Sequence, residues 1–130
     1  MKAPYAVILA LAPFAVAACT ETGPADRPAV SPAAKIVGEA ENCIPLAQIR
    51  ETRIRDDWTI DFISNGDRVW RNTLTSRCPG LKVNDGITYE TSLTQLCNTD
   101  IVYVLETAGG LHRGPACGLG MFVPVELEKR

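Results

Sequence analysis

Trp58-Thr59-Ile60-Asp61-Phe62-Ile63-Ser64, then Asn65-Gly66, then Asp67-Arg68-Val69-Trp70-Arg71-Asn72-Thr73-Leu74, is the stretch that decides the fold class. Two runs rich in β-branched and aromatic residues flank a dipeptide that accepts positive φ angles, which predicts a β-hairpin closed by a two-residue type I′ loop. Such a loop pairs Ser64 with Asp67, Phe62 with Val69, Asp61 with Trp70 and Ile60 with Arg71. One face then carries Trp58, Ile60, Phe62 and Val69, and the other carries Ile63, Trp70 and Leu74 among polar neighbours. Both faces are partly apolar, so a sheet wetted on one whole side is not expected. The expectation is an all-β, mainly antiparallel domain, a small curled barrel or sandwich.

Upstream, Asn42 is placed to cap a short helical turn through Cys43–Ile49, after which Thr52–Arg55 enters a strand that turns at Asp56-Asp57. Downstream, Leu81 and Val83 lead to Asp85-Gly86, with Ile87, Tyr89 and Thr91 alternating away from it as a second hairpin. Ile101–Thr107 has strand composition and 108–114 is a flexible connection. Leu119, Met121, Val123, Val125 and Leu127 form one face of a last strand. No internal repeat and no long helical period is present in this part of the chain.

The N-terminal region reads as an address. Lys2 precedes an uncharged apolar run, Ala3–Ala18, that holds Pro4 and Pro13 and is short of the roughly 20 apolar residues needed to span a bilayer. It ends in Val16-Ala17-Ala18-Cys19, which resembles a bacterial lipobox. The resemblance implies a signal peptide over 1–18, removed before Cys19, which then carries a thioether-linked diacylglycerol and an acylated (palmitate-type) amine. Thr20 follows rather than the Asp that retains some lipoproteins in the inner membrane. The expected location is therefore the outer membrane, lipid-anchored and facing the periplasm. Residues 19–38, with Pro24, Pro28 and Pro32 among small residues, read as a tether reaching roughly 25 Å as a coil and about 60 Å when extended. Residues 39–127 remain as one small β domain.

Loss of the first 18 residues lowers Lys plus Arg from 13 to 12 against 15 Asp plus Glu, for a net charge of −3. A modestly acidic chain argues against nucleic acid as a partner. Arg50, Arg53 and Arg55 alternate with Glu51, Asp56 and Asp57 as a mixed, solvated strand face. Setting Cys19 aside leaves Cys43, Cys78, Cys97 and Cys117, an even set that in an exported domain implies two disulfides. Cys43 and Cys78 fall at opposite ends of the first meander, and Cys97 and Cys117 are offset along the expected last hairpin. Two connectivities stay open: Cys43–Cys97 with Cys78–Cys117, and Cys43–Cys117 with Cys78–Cys97. Long gaps and the lack of a C-x-x-C pair argue against redox or zinc chemistry.

Trp70-Arg71-Asn72-Thr73-Leu74, Cys78-Pro79-Gly80-Leu81, Leu96-Cys97 with Asp100, and Cys117-Gly118-Leu119-Gly120 with Phe122-Val123-Pro124-Val125 together resemble an uncharacterised family of small proteobacterial envelope proteins, a domain of unknown function. The likeness covers about residues 43–125, and its most specific parts are the C-P-G-L and C-x-L-G-x-F-x-P segments. Some members keep only the cysteines at the positions of Cys78 and Cys117, which implies that these two bond to each other and leaves Cys43–Cys97 as the second bridge. No activity, ligand or catalytic residue comes with the resemblance.

Candidate chemistry is sparse. His112, the single histidine, sits in a Gly-rich connection without an evident nucleophile or orienting acid, and reads as an exposed loop residue. Asp56, Asp57 and Asp61 lack calcium-loop spacing and read as turn and strand-surface residues, with Arg68 diagonally across the hairpin from Asp61. Trp58 and Trp70 fall on opposite faces, which argues against a shared stacking platform. Trp70, Arg71 and Asn72 are the candidate binding surface. Neither a catalytic residue, a metal ligand nor a cofactor is expected. The function expected is a non-enzymatic binding module for an envelope protein or cell-wall polymer. The alternative is an inhibitor of a periplasmic or cell-wall hydrolase, with a small enzyme using Asp56, Asp61 or His112 behind it.

Overall fold

In the computed structural model, Arg27 and residues 29–129 are described; the signal segment and Cys19 lie outside them. The chain is mainly antiparallel β, arranged as three open sheets and stapled by Cys43–Cys97 and Cys78–Cys117. The strands are β1 (Ala34–Ile36), β2 (Cys43–Pro45), β3 (Ile49–Ile54), β4 (Thr59–Ser64), β5 (Val69–Thr73), β6 (Ile87–Tyr89), β7 (Gln95–Cys97), β8 (Ile101–Glu106), β9 (His112–Gly118) and β10 (Phe122–Leu127). A five-stranded sheet runs β1-β10-β5-β4-β3, a two-stranded sheet pairs β2 with β7, and a three-stranded sheet runs β6-β8-β9.

The β4–β5 hairpin forms where the sequence places it, but its register differs by one residue. Phe62 faces Trp70, Asp61 faces Arg71 and Ile60 faces Asn72. The loop holds three residues, because Asp67 adopts a left-handed conformation (φ 60°) and Ser64 N–H donates to the Arg68 carbonyl. Asp tolerates that conformation, and the Ser64 hydroxyl accepts from the Gly66 and Arg68 amides, so the longer loop is held locally. Strand periodicity is two, so a one-residue slip moves whole sets of side chains across the sheet. Trp70 joins Ile60 and Phe62 on the inner face, and Val69 joins Ile63 on the outer one.

The inner face makes the main core. Ile54, Ile60, Phe62, Trp70 and Phe122 from the large sheet pack with Ile44 and Leu96 from the two-stranded sheet and with Val102, Val104 and Cys117 from the three-stranded one. Phe62 and Phe122 meet edge to face at 5.5 Å. Each such large side chain contributes about 1.5–3 kcal/mol on burial. A smaller apolar cluster on the outer face joins Ile63, Val69 and Val125 with Ala34, Val123 and Leu127.

Four local expectations are corrected. Cys43–Pro45 is a strand, not helix, and the expected helical turn shrinks to a 3-10 turn at Leu46–Gln48 with no side-chain cap from Asn42. Leu81–Asn84 forms a short helix, α1, after Gly80 at φ 79°, so β6 pairs with β8 rather than with Leu81 and Val83. The last strand leaves β8 to β9 and crosses to the large sheet between β1 and β5. Finally, the expected tether supplies β1, which pairs with β10 as Ala34–Leu127 and Ile36–Val125. The folded unit begins by Ala34 rather than at Glu39, because Ala34 and Ile36 extend the outer apolar row beyond Val125 and Leu127.

Candidate functional site

Register determines what Asp61 does. Arg71 lies directly across from it and donates Nε to Oδ1 at 2.8 Å and Nη2 to Oδ2 at 2.9 Å, while Arg55 Nε donates to Oδ2 at 2.7 Å. Asp61 is fully buried, and the two arginine side chains are 13% and 12% exposed. The solvated pair with Arg68 is thus replaced by a desolvated carboxylate held by two guanidinium groups. Arg68 instead sits 5.4 Å over the Trp70 ring. Arg71 also donates to the Pro32 carbonyl, fastening the segment ahead of β1 to the outer face. Charge-assisted bonds of this kind are strong, and loss of the central member leaves buried charge without compensation.

The other acidic candidates are occupied with backbone. Asp56 Oδ1 accepts from the Trp58 amide at 2.7 Å, an Asx turn. Asp57 accepts from the Lys82 amide at 3.0 Å and from Arg77 Nη2 at 2.8 Å, fixing the first turn of α1. His112 opens β9 and is half exposed, with Nε2 2.8 Å from Glu106 Oε2 and Nδ1 2.9 Å from the Gly110 carbonyl. A neutral imidazole can donate to only one of these two acceptors at a time. Arg113 pairs with Glu90 and holds that carboxyl below its ordinary range. Among the described residues, no group of three or more His, Cys, Asp or Glu is placed to hold a metal.

Trp70, Arg71 and Asn72 do not form a surface. Trp70 is 1% exposed, with its indole N–H donating to Glu41, and Asn72 is fully buried. Asn72 clamps Gly120 reciprocally: its Nδ2 donates to the Gly120 carbonyl at 2.7 Å and its Oδ1 accepts the Gly120 amide at 2.9 Å. A Cβ at position 120 would lie 2.1 Å from the Thr73 carbonyl oxygen, so only glycine admits this approach. The W-R-N-T-L and C-x-L-G-x-F-x-P segments therefore meet in space and build the fold. Reading each run separately gave no sign of that contact.

One exposed feature lies along β3, which with β1 forms the edges of the large sheet. The Arg55 amide donates inward to the Thr59 carbonyl, whereas Lys82 Nζ reaches the Ile54 carbonyl from the opposite side at 3.0 Å. Antiparallel ladders alternate, so Glu51 and Arg53 bond to β4 while the backbone groups of Thr52 and Ile54 point outward. A groove of about 310 Å³ follows this row, lined by 51–55 with Lys82 and Asp85 of the α1 region. Glu51 and Arg53 flank Thr52 on the outer face and pair with each other at 2.6 Å. That bond holds the Glu51 carboxyl below its usual range. Arg55 Nη2 is buried and without a hydrogen-bond partner among the described residues.

No protein-family model, curated protein or solved structure matches this chain. Among the described residues, no helix is long and apolar enough to cross a membrane.

Proposed function

We propose that this chain is a lipid-anchored envelope protein whose β domain is a non-enzymatic binding module, docking an extended protein segment along β3. The observation that carries the reading is the outward backbone of Thr52 and Ile54 beside the α1 groove. An edge of this kind takes a further strand through main-chain hydrogen bonds, with the adjoining groove selecting side chains. Occupation of Asp56, Asp57, Asp61 and His112 by structural partners supports binding over catalysis. Attachment through Cys19 at the periplasmic face of the outer membrane and kinship with the envelope family sharing C-P-G-L belong to the same proposal.

A photo-crosslinker at the exposed Arg50 of the lipidated protein in cells tests it. The expected result is one stoichiometric protein adduct that Thr52→Pro abolishes, since proline removes an outward donor and no bond within the sheet. Adducts that survive Thr52→Pro contradict edge docking. Inhibition of a purified wall hydrolase at near-equimolar ratio, lost in the same variant, would identify the partner as that enzyme. Lipid labelling lost in Cys19→Ser checks the anchor.

A further inference from the structure

The geometry points to a second copy of this chain as the strand that β3 receives, with Thr52 on the two-fold axis; this rests on the edge-docking reading. A two-fold antiparallel contact demands a self-complementary strand. Glu51-Thr52-Arg53 meets that demand. With Thr52 opposite the partner's Thr52, Glu51 falls opposite the partner's Arg53, and Arg53 opposite the partner's Glu51.

The ladder already present sets which pairs are hydrogen-bonded. Thr52 turns its backbone outward, so the two Thr52 residues exchange N–H to carbonyl bonds. Glu51 and Arg53 then occupy the closer, non-hydrogen-bonded positions on either side, where side chains interact most strongly. The carboxylate and guanidinium now joined within one strand exchange partners across the axis, so no charge is left unpaired. Ile54 comes opposite the partner's Arg50. The Ile54 carbonyl accepts from Lys82 and keeps a second lone pair.

The length of the contact is limited by a bulge between Ile49 and Glu51, where two residues of β3 oppose one of β4. Bulges bend an edge and stop further addition, so the contact is short and closes on itself rather than growing into a fibre. A contact of this size is weak between free domains and strengthened when both copies are confined to one membrane surface.

Full-length lipidated protein in phospholipid vesicles is the preparation to use, with self-association read by energy transfer between labelled copies. Arg53→Glu places like charges opposite each other at both ends of the axis and is expected to weaken association by about tenfold. The double variant Glu51→Arg with Arg53→Glu restores the complement and should return it to about the native level, an outcome that a merely structural role for either residue does not produce. Thr52→Cys should also give an intermolecular disulfide, since hydrogen-bonded pairs hold Cα atoms about 5.5 Å apart. Association unaffected by Arg53→Glu, or no rescue by the double variant, overturns the assignment. A position-52 disulfide to a different envelope protein overturns it too, while leaving edge docking intact. Absence of any adduct along β3 defeats both readings.

Discussion

The large sheet and the two smaller sheets are held in different ways. No half-cystine lies in a strand of the five-stranded sheet, whereas Cys43, Cys97 and Cys117 all lie in strands of the smaller ones and Cys78 follows β5. The large sheet relies on its ladders, an aromatic core and the Arg55–Asp61–Arg71 cluster. The smaller sheets have three-residue strands at β2, β6 and β7, too short to be independently stable, and take their support from covalent closure. All three sheets share one packed core, and the cross-links add covalent closure on the side of the two smaller sheets, from the three-residue β2 and β7 to the seven-residue β9.

The sharpest break of that division is Gly120→Ala. It separates β10 from β5 at the Asn72 clamp, and the backbone clash should cost more than about 4 kcal/mol, seen as loss of the folded protein on expression. Asp61→Asn removes the charge between two buried guanidinium groups; a loss of about 3–5 kcal/mol in denaturant unfolding is expected. Replacing Cys78 and Cys117 by Ser should cost about 2–4 kcal/mol, and amide exchange should rise in β6, β8 and β9 before it rises in β4 and β5. Equal loosening of both halves would erase the distinction. At the other extreme, Arg53→Glu on the exposed edge should leave unfolding within about 0.5 kcal/mol of the native value while weakening association.

Composition made the all-β class and the four-cysteine framework legible, while spacing left two connectivities open, of which the structure contains Cys43–Cys97 with Cys78–Cys117. The hairpin was legible as an element but not in register. Asn65-Gly66 signals a two-residue loop, and only the left-handed Asp67 with the Ser64 hydroxyl shows that a third residue enters it. That single residue decided the candidate surface, since it sends Trp70 inward and sets Arg71 against Asp61. Helix α1 was hidden because Leu81 and Val83 also fit a strand pattern. Gly80 and the Asp57 side chain, remote in sequence, make the turn helical. The β3 edge could not be read from the chain, because strand order is a property of the assembled sheet.

Amide hydrogen exchange at Thr52 tests docking at β3 most directly, comparing the lipidated protein in its membrane with the dilute soluble domain. The Thr52 N–H points away from β4 in a half-buried residue, so it should exchange rapidly in the isolated domain and become protected on the membrane, with Arg53→Glu reducing the protection. Equally rapid exchange at Thr52 in both preparations would contradict the assignment of β3 as the binding edge.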